Sequence, residues 1–373
     1  YRTSRVTNFN VAAGNTVFSG DFNLYAISPR NYSHDGTNAA GDFVWNHYTD
    51  YFSGTNASGG KAIVLYAASG NEKVQALFTG GKVTFNGSVN QSSAFGEATF
   101  TNQAGSMTFN GSITNDGSAR APGDGGSAAL VMSGSNGTVG LMDNYSRFYL
   151  GDNTTVNGAV TNIAENISLY ERQNPFAYFS IGSNNNFTTL SSFTNKGSYL
   201  YVTVDVLGGG NNFSGEFTNY ATLSVNPGPD AAARNVFENL INKGTGEVSF
   251  ANSGDAAVNI NNEAKLTVAN TCNGIQFTGL TNSGTASIMA DVNFLLEDFG
   301  TGKVSNSGTL FINGVLMSEL SISNTGTVTM AGAGSMVKGD ISNSGTFNFN
   351  ANAEITGKVQ NSGLLNINAG AAG

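Results

Sequence analysis

Both histidines of the 373-residue chain, His34 and His47, fall in one stretch with Asp35, Asp42 and Asp50. Imidazoles and carboxylates are the groups that move protons near neutral pH or hold a divalent metal, so an active site would be sought here first. The spacing argues against it. The two histidines do not share a helical face as zinc-enzyme ligands do, and the segment is Gly-rich and loop-like. These five residues read as polar residues of a capping segment. The calcium-binding pattern Gly-Gly-x-Gly-x-Asp is also absent, because Gly208-Gly209-Gly210-Asn211-Asn212 lacks the aspartate that would supply the charge. The single cysteine, Cys272, has no internal disulfide partner and reads as a small buried residue. No catalytic residue, cofactor or metal site is expected.

What the chain is rich in says more. It contains 49 Gly and 50 Asn, against only 16 basic and 25 acidic residues. Gly and Asn disfavour helix interiors, and the long charged residues that fill solvent-facing helix positions are scarce, so long helices are not expected. Disorder is not expected either, since 39% of residues are hydrophobic and 25 are Phe, enough for a continuous core. A net charge of −9 argues against nucleic acid, which needs clustered Lys and Arg. No apolar run is long enough for a transmembrane helix. Residues 1–10 contain no charged-then-apolar leader, which implies that a signal was removed or lies outside this sequence. Eleven Asn-x-Ser/Thr sequons occur, from Asn31 to Asn212 and including Asn86, Asn110, Asn144 and Asn166; several are expected from composition alone.

An internal repeat organises most of the chain. Val337-x-Gly339-x-Ile341-x-Asn343-x-Gly345-x-Phe347-x-Phe349 and Ile355-x-Gly357-x-Val359-x-Asn361-x-Gly363-x-Leu365-x-Ile367 share one alternating apolar pattern around an Asn-x-Gly centre. Its second half recurs at Asn195, Asn219, Asn262, Asn282, Asn306 and Asn324; its first half precedes Asn115, Asn162 and Asn219. Asn102 and Asn242 fit with one extra residue after the glycine. From Asn195 onward the intervals are 24, 23, 20, 20, 24, 18, 19 and 18 residues, the length of one coil of a parallel β-solenoid. Period-two alternation is strand periodicity, so Leu266/Val268, Leu310/Ile312, Val328/Met330 and Phe347/Phe349 should point inward and stack. Thr267, Phe311, Thr329 and Asn348 should point outward.

Asn-x-Gly reads as the corner between two strands, with Asn tolerating and Gly favouring a left-handed backbone. When the Asn returns in each coil at ~4.8 Å, its amide can donate to one neighbour and accept from the other. Asn195, Asn219, Asn242, Asn262, Asn282, Asn306, Asn324, Asn343 and Asn361 are expected to form such a structural ladder. The organisation expected is an N-terminal β-rich cap or assembly segment over 1–80, followed by a solenoid over 81–373 with insertions near 116–140 and 226–235. The cap carries an aromatic cluster, Trp45, Tyr48, Tyr51 and Phe52, offered as a binding or assembly surface. The last coil is followed by no cap of its own, which implies that the polypeptide continues or that another molecule covers it.

Gly357-Lys358-Val359-Gln360-Asn361-Ser362-Gly363, Gly158-Ala159-Val160-Thr161-Asn162 and Ser305-Asn306-Ser307-Gly308-Thr309-Leu310 resemble the passenger domains of bacterial autotransporters and related large surface adhesins. The resemblance spans about residues 85–370 and is one of repeat style. It implies an all-β, right-handed parallel β-helix on the outer cell surface or outside the cell; handedness rests on the resemblance alone. This sequence departs from that family in carrying no C-terminal membrane barrel, which implies a passenger fragment or a differently secreted protein, and it has no Asn-Pro-Asn-Gly signals of two-partner-secretion proteins. The function expected is that of a non-enzymatic extracellular surface protein, adhesive or structural, whose partners are host or matrix glycans or proteins. The alternative is head-to-tail self-assembly into a filament, sheath or surface layer. A carbohydrate-active β-helix enzyme or tailspike is a remoter alternative. Such enzymes set several acidic and basic side chains on one face, whereas the repeat face here offers Ser, Thr and Asn with isolated Lys303, Lys338, Lys358 and Asp340. An ice-binding solenoid is more remote still, since Thr327-x-Thr329 is isolated.

Overall fold

The computed structural model describes residues 8–11, 15–18, 22–25, 63–66, 74–78, 82–85, 89–91, 97–102, 106–115, 129–134, 137–144, 147–164, 177–197, 202–227, 234–251, 256–272, 275–294, 301–314, 316–332, 336–350 and 354–368. Among them there is strand and turn but no helix. The strands pair in parallel, each coil on the next, and the fold is an all-β parallel solenoid. The chain divides into two units, Tyr1–Ser191 with Lys196–Val204, and Ser192–Asn195 with Asp205–Gly373.

In the first unit, Asn8–Val11, Asn15–Phe18 and Phe22–Tyr25 lie in register on Val74–Phe78, Lys82–Phe85 and Val89–Gln91. Coil geometry therefore reaches into the span read as a cap, ahead of any Asn-x-Gly corner. Ile63–Tyr66 pairs with the opposite edge of Phe22–Tyr25. Ala129–Gly134 lies inside the span read as an insertion at 116–140, yet it is a coil strand paired on both sides, with Glu97–Asn102 and Arg147–Leu150. Its apolar residues sit among Gly and Ser, which hides the alternation in the sequence. Phe148 and Phe179 occupy adjacent rungs and stack at 4.7 Å with their planes 8° apart. Val139, Val156 and Phe187 form another buried row through adjacent rungs.

In the second unit the repeat is most regular. Thr222–Val225, Glu247–Phe250, Lys265–Val268, Thr285–Ile288, Thr309–Ile312, Thr327–Met330, Thr346–Phe349 and Leu364–Ile367 stack as successive rungs of one sheet. The inward pairs expected from alternation are buried, and their outward neighbours Thr267, Phe311, Thr329 and Asn348 are only partly covered. On a second face, Phe193 stacks on Phe217 and Phe213 on Phe237, each at 4.5 Å. Burial of each such side chain is worth roughly 1.5–3 kcal/mol, and every coil contributes several, so cohesion runs along the stack instead of radiating from one centre. In the last described coil the inward-register Ile367 is 67% exposed, and Leu364, 53% exposed, lies in the outward row of Thr309, Thr327 and Thr346.

Candidate functional site: the asparagine files and the outward polar rows

The alternation that turns apolar residues inward also brings the repeat asparagine inward, at the end of its strand. In the second unit the residues from Asn195 to Asn343 at this position are at most 2% exposed. Their side chains form one file. Nδ2 of each donates to Oδ1 of the next, at 2.8 Å for Asn195 to Asn219, 2.7 Å for Asn282 to Asn306 and 2.6 Å for Asn343 to Asn361. The links through Asn242, Asn262 and Asn324 measure 2.7–2.9 Å. The file has a direction, donor toward the C-terminal coil throughout. The second amide hydrogen goes to main-chain oxygens, as from Asn282 to Thr309 O at 3.0 Å and from Asn324 to Thr346 O at 2.9 Å. Asn361 is exposed and donates to Gly363 O at 2.9 Å.

The corner works for a different reason from the one its composition suggests. Among the described residues, positive φ occurs at Asn153, Asn184, Gly210, Gly244 and Gly302, and none of these is a file asparagine. Gly284, Gly308, Gly326, Gly345 and Gly363 are required by close approach instead. A Cβ on any of them would overlap a carbonyl oxygen of the preceding coil, that of Ala264 for Gly284 and that of Gly284 for Gly308. Main-chain bonds hold the layers this tightly: Ser307 N donates to Asn282 O at 2.8 Å and Thr309 N to Gly284 O at 2.9 Å. Only the corner with one extra residue uses left-handed geometry, Gly244 at φ 62°, and there Gly246 takes over the close approach.

Two further asparagine contacts stand outside the expected ladder. In the first unit Asn144 donates to Asn162 at 2.7 Å, both fully buried, so the Asn144 sequon is closed in the folded chain. At a different corner of the second unit, Asn211 donates to Asn235 Oδ1 and to Gly208 O at 3.0 and 2.9 Å. Asn235 stands in no Asn-x-Gly motif, and only its spacing, two dozen residues after Asn211, could have suggested the pair. Trp45, Tyr48, Tyr51 and Phe52, together with His34, Asp35, Asp42, His47 and Asp50, lie outside the described residues, as does most of 226–235.

The files spend their polarity internally, so any chemistry offered to a ligand must come from outward side chains. Many of those pair with one another: Ser214 donates to Glu238 at 2.6 Å, Asn366 to Asn348 at 2.7 Å, and Lys265 meets Glu247 at 2.5 Å. Among the described residues no three His, Cys, Asp or Glu side chains converge as a metal site would need, and no helix is long and apolar enough to cross a membrane. Burial pushes the Cys272 thiol up to about 11 despite a main-chain bond at Ala269 that opposes the shift. No protein-family model, curated protein or solved structure matches the chain.

Proposed function

We propose that this chain is a non-enzymatic, extracellular β-solenoid surface protein that acts by adhesion. The observation that carries the reading is the division of polar groups. Buried asparagines satisfy one another along the stack, while rows such as Thr281, Ser305, Ser323 and Ser342 repeat outward from coil to coil. Such rows suit many weak hydrogen bonds to a hydroxyl-rich partner, whose sum depends on the rigidity of the stack and on no single side chain. The likeness in repeat style to autotransporter passengers supports a place on the outer cell surface. The test is binding of the purified chain to cells, extracellular matrix and immobilised glycans. Adhesion to none of them would remove this reading.

A second reading is self-assembly by head-to-tail stacking. It is favoured by the uniform coil-on-coil pairing, in which each rung of the repeat seats the next in register. A coil of the same repeat from another copy would pair with a rung in the same way. Negative-stain micrographs with long fibres at raised concentration are the expected outcome of this reading, and single particles only are that of the first.

A further inference from the structure

The outward face of the strands Ser321–Asn324, Ile341–Asn343 and Val359–Asn361 is not flat. A cleft of about 150 Å³ opens on it, lined by the polar residues Ser321, Ser323, Asp340, Ser342, Lys358 and Gln360 together with Ile322 and Ile341. The strand register explains the hollow. Ser305, Ser323 and Ser342 follow one another on successive rungs, and the next rung carries Gln360. The small side chains of Ser323 and Ser342 make the floor, and the longer Gln360 and Lys358 make a wall. In the same row further up the stack stand Asn261 and Ile241, which leave no comparable floor.

The polar groups of this cleft converge from three adjacent rungs. Among the described residues, the hydroxyls of Ser321, Ser323 and Ser342, the Gln360 amide and the Lys358 ammonium have no side-chain partner. Asp340 is the exception: its Oδ1 accepts from Lys358 N at 2.9 Å, which anchors the carboxylate. The six polar residues that line it are exposed, while Ile322 and Ile341 are buried.

We infer that this cleft is a subsite for one residue of a neutral, hydroxyl-rich glycan. The anchored carboxylate accepts from adjacent sugar hydroxyls, Lys358 and Gln360 donate to ring or hydroxyl oxygens, and the serines do either. One acid and one base nearly cancel within the cleft, while the chain as a whole carries −9 and repels polyanions. A neutral polymer is thus preferred over a sulphated or uronic one. The inference rests on the adhesive reading and gives it a location.

The test uses the full chain in affinity electrophoresis through gels containing a soluble β-glucan, a mannan or a polygalacturonate, at low and high salt. The expected result is retardation by a neutral polysaccharide that salt leaves unchanged. Asp340→Asn, which can still accept from Lys358 N, should weaken it about tenfold or more, as loss of a bond to a charged group does. Ser342→Trp, which fills the floor, should abolish it, and Ser287→Trp on the other sheet should not. Circular dichroism of each variant checks that the stack is intact. Retardation unaffected by Asp340→Asn and Ser342→Trp overturns the subsite and leaves adhesion standing. Retardation by polygalacturonate alone overturns the ligand class. No retardation by any polymer overturns the subsite, while cell and matrix binding then judges the adhesive reading separately.

Discussion

Replacing Asn306 by Ala tests the physical centre of this structure. The side chain accepts from Asn282 at 2.7 Å and donates to Asn324 at 2.8 Å and to Thr327 O at 3.0 Å. After truncation Asn282 keeps acceptors at Thr309 O and Gly284 O, so the donor side loses little. The cost falls on Asn324 Oδ1, a buried acceptor left with nothing to accept from. A buried orphan costs ~1–3 kcal/mol and each lost net bond about 1 kcal/mol, which together make roughly 3–4 kcal/mol. Asn361→Ala removes the same chemistry at an exposed position, where water replaces it, and should cost less than about 1 kcal/mol. Against a typical total of ~5–15 kcal/mol the first is severe and the second slight. Urea unfolding followed by circular dichroism gives the totals. Hydrogen exchange of the Lys303–Asn306 and Ser321–Asn324 amides localises the loss, which matters because long repeat stacks can open coil by coil. If the two variants differ by less than the error of the fit, the file contributes no more buried than exposed, and the argument from internal satisfaction fails.

Four further outcomes follow from single positions. Gly308→Ala should cost about 2–3 kcal/mol, because a Cβ would displace the backbone of the coil before it. Gly244→Ala, at φ 62° where a Cβ would meet only Tyr220 Cδ1 at 3.7 Å, should cost only ~1–2 kcal/mol, and thermal unfolding compares the two. Thr278→Val should leave stability unchanged or raise it by up to about 1 kcal/mol in chemical denaturation, since the buried Thr278 hydroxyl has no hydrogen-bond partner. Cys272, with its thiol pushed to about 11 from 9.0, should resist alkylation at mildly alkaline pH until urea unfolds the chain. Because the folded value is the higher, its contribution to stability is complete below the unfolded value near 9.0 and is lost as pH rises through about 11. Alkylation at the same rate with and without urea would refute burial.

The sequence by itself determined the solenoid, because two independent periods coincide in it. Alternation fixes which side chains face inward, and the return of the asparagine every 18–24 residues, followed two residues later by Gly or Ala, fixes where each coil turns. Leu310, Val328 and Phe347 could be assigned to one buried row on that basis alone. What a linear string does not carry is the distance between layers. Only the stacked structure decided that Gly308 stands where it does because the carbonyl of Gly284 leaves no room for a Cβ, and not because of its backbone angles. The same holds for coil strands without the motif. Asn8–Val11 and Ala129–Gly134 take their register from the strands beside them, since a parallel ladder is satisfied by any neighbour of matching length and direction. The serine-floored cleft likewise depends on residues 18 or 19 apart lying on adjacent rungs. In a solenoid, composition and period write the coil, and the ~4.8 Å between coils decides what each position must be.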